Sequence, residues 1–362
     1  MDARSRDLLR AWLWTLYGLV LGMVVLGGIT RLTGSGLSMV EWRPLFGALP
    51  PLDADEWDRV FARYQESPQY RLVNAWMTLD DFKRIFVWEY LHRLLGRVIG
   101  VAFIVPGAWL WLKGHLAGAP KLRILSVLAL GALQGALGWF MVMSGLVDVP
   151  EVSHFRLAAH LGLAFFVAHF ILWIILDLGP PNTAVKAPRH ARLVAWSLLV
   201  LVGTQIVWGA FMAGRRAGYL YRSFPDFDGE LVPSSLLSEP SWLHASVAHP
   251  VGIHVAHRFL GYVVLLALFA TFAWLLRAAS AAHFRGVRAR LLAVGVLQFG
   301  LGALTVMYGV PIALAVLHQA GGFLLLSACV ELAHVMGRCE RAPTPDLTEP
   351  VASARGRSER PA

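Results

Sequence analysis

Charge is what this chain has least of. Only 15% of its 362 residues are Asp, Glu, Lys or Arg, against 57% hydrophobic, whereas ordinary globular chains are about one-quarter charged. That excludes an ordinary soluble domain. Cysteine is nearly absent: Cys329 and Cys339 are the only two, and no CxxC occurs. A thiolate metal site and a disulfide-stapled scaffold are therefore not expected. The chain start also lacks the pattern of a removable leader, because Asp2 and Asp7 run directly into a full-length apolar block. Neither a cleaved signal peptide nor an acid-poor transit peptide is expected.

What is present is apolar sequence in blocks of about 19 to 22 residues, the length that crosses roughly 30 Å of hydrocarbon. Eight such blocks run at about 11–29, 90–112, 123–144, 156–177, 193–213, 256–276, 290–308 and 312–335. The expected class is an all-α polytopic membrane protein. The net charge of +9 sits mostly in alternate connections: Arg4, Arg6 and Arg10; Lys113, Lys121 and Arg123; Lys186, Arg189 and Arg192; Arg277, Arg285, Arg288 and Arg290; Arg338 and Arg341. By the positive-inside rule these lie in the cytoplasm, with both termini; the expected location is a bacterial inner membrane. The basic excess is a topology signal and gives no reason to expect nucleic acid.

The second half of the chain retraces the first. Glu89-Tyr90-Leu91-His92-Arg93-Leu94-Leu95-Gly96 returns 165 residues later as His254-Val255-Ala256-His257-Arg258-Phe259-Leu260-Gly261. Gln134 to Gly138 returns as Gln298 to Gly302, and His160-Leu161-Gly162 is echoed at His318 to Gly322. Four spans per repeat give both halves one orientation, so two four-helix bundles in parallel repeat are expected. The first occupies 1–178 with a long outer loop at 30–87, the second 193–338. A Pro-rich basic linker (179–192) joins them, and 339–362 reads as a flexible cytoplasmic tail. The outer loop carries Trp42, Pro44, Trp57, Tyr64, Tyr70, Trp76 and Phe82, too aromatic for a tether; a partly helical cap is expected. The glycine-rich exit of the first span, Gly27 to Gly36, reads as a flexible helix end with Arg31 at the membrane interface.

Four histidines fall at matching places and depths, His92 and His160 in one half, His257 and His318 in the other. Ionisable residues inside spans are functional by default. Imidazoles facing each other from two helices of a bundle are a common way to hold haem iron through both axial positions. Zinc would want three or four converging ligands, and these come as separated pairs. Two haem pockets are the expectation. His169 lies on the opposite face of the helix that carries His160. His115, His190, His283 and His334 fall near cytoplasmic ends, and His154, His244 and His249 in outer loops. Arg93 and Arg258 follow their histidines directly and are candidate propionate contacts, since Arg matches a carboxylate bidentately; a snorkelling arginine is the competing reading. Arg31, Arg97, Arg215 and Arg216 are lesser candidates of the same kind.

The repeats differ one turn before the first histidine, where Glu89 stands in one half and His254 in the other. Beside a haem edge a carboxylate can accept a proton or stabilise developing positive charge. The bland alternative is a solvated glutamate at a helix start.

The phrases GGITRLTGSGLSM, FKRIFVWEYLHRLLGR, QGALGWFMVMSGL, VAHRFLGY and LHQAGG together resemble the haem A synthase family, in its cysteine-free proteobacterial and mitochondrial branch, over about residues 12 to 336. The resemblance implies an oxidoreductase that converts the C8 methyl of haem O to a formyl group by successive hydroxylations, giving haem A for cytochrome oxidase. It also implies that His257 and His318 hold a haem b cofactor, that His92 and His160 bind the substrate haem, and that Glu89 is catalytic. Implied partners are haem O and haem A, membrane lipid, an unidentified electron acceptor or donor, the protohaem farnesyltransferase that makes haem O, and further copies of the chain. Another branch of the family has a cysteine pair in the first outer loop, which is missing here. A di-haem b-type electron carrier linked to quinone is the alternative, and a transporter is the remaining rival.

Overall fold

A computed structural model describes residues 1–41, 49–116, 119–147, 149–179, 186–187, 190–277, 282 and 284–341. Trp42, Pro44, Arg189, His283, most of the linker and nearly all of the tail lie outside the described residues. In chain order the helices are α1 (Ala3–Leu32), α2 (Ala54–Gln65), α3 (Leu79–Leu112), α4 (Ala119–Met143), α5 (His154–Asp177) and α6 (Ala191–Gly214). They continue with α7 (Ser234–Leu237), α8 (Trp242–Ala248), α9 (Pro250–Arg277), α10 (Arg285–Met307) and α11 (Ile312–Arg338). Eight of them are long and apolar enough to cross a membrane; α2, α7 and α8 are the short ones. Among the described residues the only strands are two residues each, Lys186–Ala187 paired in parallel with Glu340–Arg341. The all-α expectation holds.

One boundary differs from the hydropathy reading. α3 begins at Leu79, inside the stretch read as outer loop, so His92 lies in mid-helix and not near a helix opening. The cause is local. Thr78 and Asp81 form a reciprocal capping box that satisfies the first-turn donors. Phe82, Ile85, Phe86 and Glu89 then bury one face of the added turns. That face packs on the cap, where Tyr64 stacks on Phe82 at 4.9 Å between ring centroids and Trp57, Phe61 and Tyr70 complete an aromatic cluster. Full burial of each such ring is worth about 1.5–3 kcal/mol. Asn74 donates to the Tyr64 hydroxyl at 2.7 Å, Tyr64 donates to Gln69 at 3.1 Å, and the Gln69 amide donates to the Gly34 carbonyl at 2.8 Å. That chain fixes the cap to the exit of α1.

The helix contacts pair off between the halves. α1 packs on α3 and α5 as α6 packs on α9 and α11, and α4 packs on α5 as α10 packs on α11. Between halves, α1 meets α11 as α6 meets α5, and α5 meets α11. Lipid supplies no hydrophobic drive between helices, so polar fasteners matter. His169 is one of them. It is buried, with ring nitrogens against the Phe165 carbonyl (2.6 Å) and the Ser327 hydroxyl (3.1 Å), and Ser327 is bonded to Tyr17 at 2.6 Å. At the other end Asp177 joins Arg123, His334 and Arg338, tying α4 and α5 to α11.

Candidate functional site: two imidazole pairs and a buried carboxylate

Each of the four histidines rests on a glycine of a neighbouring helix. A Cβ on Gly27 would lie 3.1 Å from the His92 ring, and one on Gly138 would lie 2.9 Å from His160. In the second half Gly209 faces His257 (3.3 Å) and Gly302 faces His318 (2.8 Å). Only glycine lets an imidazole lie so close to helix backbone. Glutamines complete the frame: Gln134 donates to the His160 carbonyl and Gln205 to the His257 carbonyl, both at 3.0 Å. The His318 Nδ1–H donates to the Gln298 carbonyl at 3.2 Å. A carbonyl only accepts, so this bond places the proton on Nδ1 and leaves Nε2 as a free ligand.

His257 and His318 face one another with ring centroids 6.4 Å apart and planes at 87°. Two imidazoles bound trans to one metal at about 2.0–2.1 Å each would have centroids about 6.3 Å apart. Beside them lies a cavity of about 700 Å³, lined by Arg31, Arg216, Arg258 and His254 as well as by both histidines. No Asp or Glu is among its described lining residues. Such a chamber, mostly apolar with three guanidiniums, suits a flat apolar molecule carrying two carboxylates. No group of three His, Cys, Asp or Glu converges among the described residues, which fits paired axial ligands and not a zinc centre.

Arg31 reaches across to the second half. Its Nη2 donates to the carbonyls of Ala213 (2.9 Å) and Gly214 (3.2 Å), so a side chain of the first half caps α6 of the second. Its Nε is buried without a hydrogen bond among the described residues. Arg216 lines the same cavity from a left-handed backbone conformation (φ 51°), a strain typical of functional positions. Arg97 and Arg215 are not among the lining residues.

Glu89 is 3% exposed, so it is not a solvated helix-start glutamate. Its Oε2 accepts from the Ser38 hydroxyl (2.8 Å) and the Met39 backbone N–H (2.7 Å), and its Oε1 pairs with Arg93 one turn on. Arg93 also donates to the carbonyls of Met39 (2.7 Å) and Glu41 (2.8 Å). The second half repeats this frame. Arg258 bonds His254 at 3.0 Å, donates to the Asp226 carbonyl, and stacks on Phe227 at 4.0 Å. In each half the arginine that follows His92 or His257 reaches back four residues and binds outer-loop carbonyls. The i,i+4 Glu–Arg spacing in the sequence carries that signal. The glycine cradles were missed; their matched positions in the two repeats were the available sign.

A facing imidazole pair, His257 and His318, with His92 and His160 held on matching glycines in the other half, points to a class: integral membrane proteins that hold tetrapyrroles between helices. The comparisons name the family. The model described as cytochrome oxidase assembly protein (COX15-CtaA) matches residues 10–330, and the chain belongs to that family. It is 44% identical over 362 residues to a heme A synthase of Rhodopseudomonas palustris, covering 98% of each chain. It is 40% identical over 337 residues to that of Rhodospirillum centenum (92% of this chain, 90% of the relative). To that of Nitrosospira multiformis it is 42% identical over 332 residues (90% and 93%).

Proposed function

We infer that the chain is a haem A synthase, an oxidoreductase that converts haem O to haem A for cytochrome oxidase. The carrying observation is the buried carboxylate of Glu89 one turn before His92, in only one of two otherwise matched histidine frames. In this reading residues 1–178 form the substrate bundle, with His92 and His160 as ligands of haem O. Residues 193–338 form the cofactor bundle, with His257 and His318 as ligands of haem b and Arg258 at its propionates. The counterpart contacts of the eight spans support a pseudo-two-fold along the membrane normal, and the charge distribution supports cytoplasmic termini in the bacterial inner membrane. Haem O arrives from the farnesyltransferase that makes it.

Haem b, when bound, supplies one-electron redox chemistry. The chain's residues supply the rest. Gly27, Gly138 and Gln134 hold the two substrate-side imidazoles in place. Glu89 is positioned from three directions by Ser38, the Met39 N–H and Arg93. With water as the oxygen source, hydroxylating the C8 methyl would release two electrons to the external acceptor and two protons, of which Glu89 would take one. A second hydroxylation gives a gem-diol, which loses water to leave the formyl group. Arg93 acts through Glu89 and is a positioning residue here.

The test is extraction and mass analysis of the haems carried by purified protein. Haem b together with haem O, its hydroxylated form or haem A is expected, with the haem b component lost on His257→Ala or His318→Ala. Haem b alone at two equivalents would instead support the di-haem carrier, and a colourless protein the transporter.

A further inference from the structure

The two bundles are not closed to the same degree, and the difference lies at one seam. α9 packs along α10, whereas among the described residues their counterparts α3 and α4 make no more than a glancing contact. Two side-chain pairs seal the second-half seam. Leu268 of α9 fills the space over Gly295 of α10, where a Cβ would collide with it. Tyr262 of α9 meets Phe299 of α10 at 5.8 Å between ring centroids.

Carrying these positions onto the first half by the repeat gives a different set. Gly131 stands where Gly295 stands, each three residues before its repeat glutamine, and Gly135 stands where Phe299 stands. Phe103 takes the place of Leu268, each eleven residues after its histidine, but its ring lies 5.2 Å from Trp12 of α1 and not over α4. Neither Gly131 nor Gly135 has a described heavy atom within 4 Å of where a Cβ would be. Both share a face of α4 with Gln134 and Gly138, the two residues that meet His160. The open seam therefore leads to the first imidazole pair.

We propose that the gap between α3 and α4 is the lateral passage by which substrate haem, with its isoprenoid chain, enters the first bundle from the bilayer and leaves it as product. This rests on the reading of the first bundle as the substrate half. A substrate must exchange at every turnover and a cofactor must stay, so one seam is open and the other filled. The occupant is lipophilic, and a glycine-lined gap toward hydrocarbon, with Arg97 at the position that Tyr262 holds in the other half, gives it a route that avoids water.

The experiment grafts the seal. Gly135→Phe places on α4 the side chain that α10 carries, and Phe299→Gly opens the second seam. Purified proteins in nanodiscs are given haem O, and uptake is followed by absorbance; loss of haem b to excess apomyoglobin is timed separately. Gly135→Phe should retain haem b and take up haem O at least tenfold more slowly, with Gly135→Ala near wild type. Phe299→Gly should release haem b at least tenfold faster. Wild-type uptake by a Gly135→Phe protein that retains haem b overturns the proposal. Should Gly135→Phe misfold, unchanged haem b release from Phe299→Gly overturns it instead. Wild-type protein that takes up no haem O would count against the substrate-half reading itself.

Discussion

Replacing Glu89 by glutamine separates chemistry from architecture. The carboxylate offers one oxygen to Ser38 and the Met39 N–H and the other to Arg93. A glutamine of the same shape has one oxygen for these two groups of donors, so its NH₂ must face either a backbone N–H or a guanidinium. Loss of a charge-assisted hydrogen bond costs about 1.5–3 kcal/mol, and stranding one member of a buried pair about 3–5 kcal/mol. Arg93 keeps its bonds to the Met39 and Glu41 carbonyls, which places the penalty near the lower figures, about 2–3 kcal/mol. It falls on the cap contact, a locally opening region, and not on the cofactor cavity, whose lining does not include Glu89. A positioned acid–base group contributes about 10²–10⁴ in rate. Glu89→Gln should therefore carry normal haem b and form haem A about 100- to 10,000-fold more slowly, with haem O accumulating in extracts analysed by mass. Haem A formation at the wild-type rate, in a variant with normal haem b, would refute Glu89 as the proton acceptor.

Two further outcomes follow from the same geometry. Arg31→Gln keeps a donor for the Ala213 and Gly214 carbonyls but removes a charge from the cofactor cavity, so redox titration of haem b should shift toward the oxidised form roughly tenfold, about 59 mV. Arg31→Lys should restore the wild-type midpoint, which a purely structural cap would not require. Burial pushes the Tyr64 phenol above its ordinary value of 10.0, so the folded cap favours the protonated form. That stability is fully present below about pH 10 and is lost as pH rises through the folded value. Limited proteolysis of the cap should accelerate above that pH, and Tyr64→Phe should remove the dependence while weakening the cap.

Hydropathy blocks and repeated phrases were enough to read eight spans, four matched histidines and the odd carboxylate from sequence, because each is a periodic or composition-level signal. Hydropathy starts α3 late because its first turns are amphipathic, and an amphipathic turn against a protein cap looks polar to a window tuned for lipid. The partners of Arg31 are carbonyls of α6, 182 and 183 positions away, and no local pattern reports them. The cradling glycines were visible only as small residues. What each one faces is decided by tertiary packing, which turned Gly138 toward His160 and left Gly135 facing open space.

The four histidines alone do not distinguish the halves, since each half holds two imidazoles on glycine cradles. Two other differences do. One replaces His254 by Glu89 three residues before the repeat histidine; the other replaces the Tyr262–Phe299 seal by Arg97 and Gly135. Neither is useful by itself. A carboxylate beside a haem that could not leave would allow one turnover, and an exchangeable haem with no proton acceptor would only be carried. Both substitutions fall in the same half, as a haem that is both replaced and chemically altered requires. If Gly135→Phe slowed haem O exchange while Glu89→Gln left exchange intact and stopped formylation, the two properties would be separable in the protein as they are in the sequence.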